Sequence, residues 1–213
     1  MKLTNKKPPF FLAIIFVLIA LFSCKAVVYR VAFGVKKPSE KRTFHVLKFL
    51  DKHDYNKENL YGLNSDSYYS KIKNANSAGV FASDRLYDSN GILVYPSDSS
   101  VRDCYGTIGD FYKGLTNSNS YFVDSSVSIY HDTVLTRGLV NLKGSPQRMF
   151  ETKDYDFTLV IYWSTFMGRI SRNVLDFESN IKTFNPSLKV QVVKINMDYR
   201  DYMEGDDIEA IIQ

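Results

Sequence analysis

A chain of 213 residues with 45% hydrophobic side chains can bury a core of its own, which excludes a disordered chain. Its 27 Lys and Arg outnumber 23 Asp and Glu, but three of those cations, Lys2, Lys6 and Lys7, precede Cys24 with no acid among them; without residues 1–23 the balance is 24 to 23. No basic stripe survives on that near-neutral remainder, which argues against nucleic acid as a partner. The three histidines, His45, His53 and His131, and the two cysteines, Cys24 and Cys104, show no zinc spacing, and no phosphate-loop or Gly-x-Ser-x-Gly motif is present. No metal and no cofactor are expected.

Residues 1–23 read as a targeting segment. After the three lysines and Pro8-Pro9, Phe10 to Phe22 form thirteen uninterrupted apolar residues. That is short of the about 20 residues a bilayer span needs, but suits the apolar region of a signal peptide. Leu21-Phe22-Ser23-Cys24 ends the run and resembles a bacterial lipobox, with Phe22 bulkier than that pattern's usual residue. The resemblance implies lipidation of Cys24 and loss of residues 1–23. The alternative is an uncleaved anchor over Phe10 to Tyr29, with Lys25 snorkelling to the interface. Both readings attach the chain to a membrane and place its domain outside the cytoplasm, in the periplasm or at the cell surface. Residues 24–38 read as a tether punctuated by Gly34 and Pro38. Lys36-Lys37 and Lys41-Arg42 read as solvated charge, with at most a weak pull towards anionic headgroups.

Ser39 then caps a helix to about His53, with Phe44, Leu47 and Leu50 inward. A turn over Asp54 to Glu58, a strand over Leu60 to Leu63 and a helix over Ser65 to Asn74, capped by Ser65 or Asp66, follow. The clearest hairpin runs from Gly79 to Tyr87, turns through Asp88-Ser89-Asn90-Gly91 and returns over Ile92 to Tyr95, because Asn-Gly supplies the positive φ angles of a tight reversal. Cys104 reads as a small buried hydrophobe, with a reactive free thiol as the alternative. Thr107 to Leu115 is a helix with Ile108, Phe111, Tyr112 and Leu115 inward. Tyr121 to Asp124 is a strand, Ser125 to Thr133 helical, and Leu139 to Leu142 with Gln147 to Phe150 a second hairpin. The tail, Asp206 to Gln213, adds a short amphipathic helix.

The richest stretch is Phe157 to Trp163, seven uncharged β-branched, aromatic and leucine residues that read as a strand buried on both faces. A turn containing Gly168 leads into a helix with Ile170, Val174, Phe177, Ile181 and Phe184 on one side, stopped by Asn185-Pro186. Leu188 to Met197 is a second strand. Short connections through one helix place the two strands parallel in one sheet.

Trp163-Ser164-Thr165-Phe166-Met167-Gly168-Arg169-Ile170 resembles the thioredoxin-like active-site turn, in which a Trp and an aromatic precede Cys-Gly-Pro-Cys at the head of a helix. Trp163, Phe166 and Gly168 match. Met167 and Ile170 stand where the cysteines would be and Arg169 where the proline would be. Disulfide exchange needs a thiolate, so the resemblance implies an architecture without dithiol chemistry. Leu86 to Leu93 resembles the same family's aspartate-glycine hairpin, here ahead of the turn, and Ser77 to Phe81 lacks the family's cis-proline. The implied fold is α/β: a thioredoxin-like three-layer sandwich with a mixed sheet, permuted or rearranged, spanning residues 39–213 with halves at 39–115 and 155–200. The implied function is a redox-inactive binding or structural module for a protein or peptide, with Trp163, Phe166, Met167, Gly168, Arg169 and Ile170 as the groove and Met167 and Ile170 simply packing as the plainer reading. The alternatives are an oxidoreductase or peroxidase-like protein using Cys104, and a scaffold acting through another surface.

Overall fold

The structure, a computed structural model, describes residues 30–36, 39, 41–73, 81–97, 105–115, 121–142 and 152–198. Cys24, Cys104, the second arm of the later hairpin at 147–150 and the tail at 206–213 lie outside the described residues. The elements in order are α1 (Thr43–Lys52), β1 (Leu60–Leu63), α2 (Ser65–Lys73), β2 (Ser83–Asp88), β3 (Ile92–Pro96), α3 (Tyr105–Lys113), β4 (Tyr121–Ser128), α4 (Thr133–Arg137), β5 (Leu139–Asn141), β6 (Phe157–Trp163), α5 (Arg169–Phe184) and β7 (Val190–Asn196). The class is α/β, and the strands form one mixed seven-stranded sheet in the order β4-β3-β2-β6-β7-β1-β5.

β6 is the central strand, and its composition explains why. It pairs in parallel with β7, from Phe157 beside Val190 to Trp163 beside Asn196, and antiparallel with β2, from Phe157 beside Asp88 to Tyr162 beside Ser83. Both edges are therefore occupied and both faces covered, so all seven side chains are buried. The hairpin of β2 and β3 thus shares a sheet with Trp163, as expected. Its turn is fixed by Asp88, whose Oδ1 accepts from the backbone of Asn90 (2.9 Å) and Ile92 (2.8 Å). Gly91 has φ +74, and a Cβ there would come within 2.7 Å of Ile129 and Tyr130, so only glycine fits.

Alternate residues of β6 serve opposite faces. Leu159, Ile161 and Trp163 join Val174, Phe177 and Ile181 of α5, Tyr112 of α3 and Val46 and Leu50 of α1. Val160 and Tyr162 join Tyr68 of α2, Leu135 of α4 and Ile195 of β7. In α5 the predicted face holds except at Phe184, which is 54% exposed with the Lys113 ammonium 5.3 Å from its ring centre. Asn185 ends the helix and ties it to α3, its Nδ2 donating to the carbonyls of Ile181 (3.1 Å) and Tyr112 (2.6 Å).

Three local expectations are corrected. α1 begins at Thr43 without a side-chain cap, not at Ser39, and buries Val46 and Leu50, while Phe44 is 64% exposed. Val46, Phe49, Leu50 and His53 lie at spacings of three and four, so they and not Phe44 define its inner stripe. α2 is capped by Asn64, whose Oδ1 accepts from Ser67 N at 2.9 Å, instead of by Ser65 or Asp66. Ser125 to Ser128 extend β4 where a helix was expected: Ser128 pairs with Ile92 and Asp124 with Leu93, residues 125–127 bulge between those pairs, and helical structure begins only at Ile129. Leu139 to Asn141 pair antiparallel with β1.

Candidate functional site

The turn after β6 is held by buried hydrogen bonds. Ser171, one turn into α5, accepts from Ser164 N (3.0 Å) and donates back to Ser164 O (2.8 Å), while Ser164 Oγ donates to Phe81 O of the segment leading into β2 (3.2 Å). Asp198, fully buried just after β7, accepts from Thr165 N (3.0 Å), Thr165 Oγ1 (2.9 Å) and Asn196 Nδ2 (2.8 Å). A buried carboxylate with three donors is satisfied, and it locks the turn to the neighbouring strand. Nothing in the sequence singles out Asp198, because its partners meet it only through the pairing of β6 with β7.

The apolar residues of the turn face inward. Trp163 is buried and stacks on Phe49 of α1, ring centres 5.4 Å apart. Phe166 meets Phe81 edge-on at 5.1 Å. Met167 and Ile170 are 5% and 8% exposed, so the positions matched to the cysteines fill the core and offer no thiolate. Of the six residues expected to form the groove, only Gly168 and Arg169 reach the surface cavity described below.

The expected tether contributes to this site. Residues 30–33 form one helical turn, and Lys36 N donates to Phe166 O at 2.7 Å. Gly168 has φ +56, and a Cβ on it would sit 2.5 Å from the carbonyl oxygens of Phe33 and Gly34. Glycine is required twice over, by backbone angle and by that close approach. Residues 33–36 therefore cover the head of α5.

Beside this strap an open cavity of about 350 Å³ remains. Lys36 reaches it from the strap, Lys52 and His53 from the end of α1, and Arg169 and Arg172 from the first turns of α5. Among the described residues no acid lines it, α5 has no acid in its first turn, and no side chain caps that helix. Burial first, then Arg172 and Lys52, lower the His53 pKa, while Asp176 pulls the other way. The imidazole thus favours its neutral form beside these cations. The sequence reading missed Lys52, His53 and Arg172 as site residues. One signal was present: Arg169 and Arg172 open a helix where the macrodipole favours acids, a local rule broken without a local gain.

Among the described residues no helix is long and apolar enough to cross a membrane, and the apolar run of residues 10–22 lies outside them. Comparison with known family models, curated proteins and solved structures gave no match.

Proposed function

We propose that the chain is a membrane-attached envelope protein whose domain, held outside the cytoplasm, has a thioredoxin-like sheet in permuted order and acts by binding, without redox chemistry. The attachment rests on residues 1–24, through Cys24 or an uncleaved anchor. The observation that carries the reading is the neighbourhood of β6. A parallel strand reached through one helix lies on one side of it and an antiparallel hairpin on the other, as a thioredoxin-like core requires, with Met167 and Ile170 buried where thiols would be. A turn with no ionisable sulfur cannot attack a disulfide. What remains of an active site is its shape, and the cationic cavity beside Gly168 is the part open to a partner.

The test is insulin-disulfide reduction by the full-length chain in detergent. The expected rate equals the protein-free rate; turnover that disappears on Cys104→Ser overturns the reading in favour of a single-thiol oxidoreductase. Incorporation of radiolabelled palmitate, expected to vanish on Cys24→Ala, tests the lipid attachment separately.

A further inference from the structure

The cavity beside Gly168 gathers five basic side chains from three separate stretches: Lys36, the pair Lys52 and His53, and the pair Arg169 and Arg172. Among the described residues none of Lys36, Lys52, Arg169 and Arg172 is engaged in an ion pair, whereas Lys57, Arg85, Lys113, Lys182 and Lys194 all are. Like charges converging on one space repel, and among the described residues no acid lies within the lining to offset them. Solvation alone explains single surface lysines, but not four cations and a histidine around one concavity with no counterion built in. Two arginines and two lysines suit an oxyanion that carries more than one charge and accepts from several directions, as a phosphate group does.

The size and the remaining walls narrow the ligand further. A cavity of about 350 Å³ falls in the range of small-molecule sites, more than a bare anion needs. Phe49 and Thr165 also line it, with the exposed Val31 and Phe33 at its rim. Cations beside exposed apolar side chains are the pattern of a surface that meets a membrane interface. Arg30 lies six residues after Cys24, a reach of at most about 20 Å.

We propose that this cavity binds the phosphate group of an organic phosphate, its oxygens held by Lys36, Lys52, Arg169 and Arg172 and its apolar part against Phe49 and the rim. The phosphate comes from an anionic lipid headgroup of the membrane to which the chain is attached, or from a soluble phosphoester. This deepens the binding role proposed above by naming the ligand chemistry at the same turn, and rests on that reading for its setting. The insulin assay tests the reading without touching the cavity, so the two can fail separately.

His53 reports occupancy, because a dianion beside it must favour its protonated form against Lys52 and Arg172, with Asp176 the acid already acting on it. The full-length chain in dodecyl maltoside, in phosphate-free buffer, is titrated with inorganic phosphate while the His53 ring resonances are followed across pH by NMR. The expected result is a saturable rise of the His53 pKa, with affinity reduced about tenfold or more in Arg169→Gln/Arg172→Gln and unchanged in Lys153→Gln, an exposed side chain outside the cavity lining. If the arginine pair fails to fold, judged by its thermal transition, Lys36→Gln/Lys52→Gln carries the same comparison on exposed side chains. The chain in nanodiscs of phosphatidic acid, whose phosphomonoester can carry a second charge, against nanodiscs of a phosphate-free galactolipid, separates the sources. A rise without added phosphate in the first alone assigns the headgroup; a rise in both only on adding phosphate assigns a soluble ligand. No rise under any of these conditions, or a rise that the cavity variants leave unchanged, overturns the proposal.

Discussion

The two faces of the sheet are built from the same strands by different chemistry. On the α5 face, β6 presents Leu159, Ile161 and Trp163 to a sixteen-residue helix; the Tyr112 hydroxyl donates to Asp84 and Lys194 pairs with Glu178 at 2.6 Å, while among the described residues the buried Trp163 Nε1 and Asn185 Oδ1 find no hydrogen-bond partner. On the opposite face Tyr61, Tyr68, Tyr87 and Tyr162 stand among aliphatic side chains beneath the shorter α2 and α4. There the Lys71 ammonium sits 4.0 Å from the Tyr162 ring centre, Arg85 pairs with Asp132 at 3.4 Å, and the buried Tyr162 hydroxyl has no hydrogen-bond partner. A long amphipathic helix covers one face with close apolar packing, whereas two short helices leave gaps that aromatic rings and long cationic side chains fill. The first face should be where stability resides, and the second should tolerate loss of its polar groups.

That contrast can be broken at neighbouring residues. Trp163→Ala, on the α5 face, is expected to cost about 3–5 kcal/mol in urea unfolding, from lost burial and the cavity left behind. Tyr112→Phe should cost about 1–2 kcal/mol at neutral pH, because it strips the part-buried Asp84 carboxylate of its donor.

The pH dependence sharpens the comparison, since each face carries a strongly shifted group that can be replaced by an uncharged one. Burial pushes the Asp84 carboxyl up to about 6, with the Tyr112 hydrogen bond opposing. Its folded value lies above its unfolded one, so the wild type should lose stability relative to Asp84→Asn as pH rises from about 4 through about 6. Burial, aided by Arg85 and opposed by Asp132, lowers Lys71 to about 8. Here the unfolded chain holds the proton longer, so the wild type should gain stability relative to Lys71→Met as pH rises from about 8 towards 10. Both follow from paired unfolding curves across pH, and equal slopes within either pair would refute the assignment.

The smallest effect should come from Tyr162→Phe, which removes the unpartnered hydroxyl and keeps the ring under Lys71. Stability should stay within about 1 kcal/mol or rise; a loss of twice that would reveal a partner for the hydroxyl.

The same contrast explains what could be read from the chain. β6, α5 and β7 were legible because burial on two faces forces an uncharged run and packing on one forces a period near 3.6. The hairpin was legible through the φ demand on Gly91. Ser125 to Ser128 were not, since residues 125–127 bulge out of the ladder between Asp124 and Ser128, and serines in a bulge mimic a helix start. The inner stripe of α1 was misplaced because capping by Ser39 suggested the wrong phase, and only contact with Trp163 selects Phe49. The turn's residues were identified, but their neighbours were not. Lys52, His53 and Asp198 come from distant elements, and no local pattern ties them to Gly168.

The strap over Gly168 has a mechanical consequence. Because Lys36 is hydrogen-bonded to the backbone of Phe166 and the chain from Phe33 to Gly34 abuts Gly168, any pull transmitted through the N-terminal attachment loads the mouth of α5 directly. On the proposed membrane attachment, tension would bear on the cationic cavity before it reached the sheet.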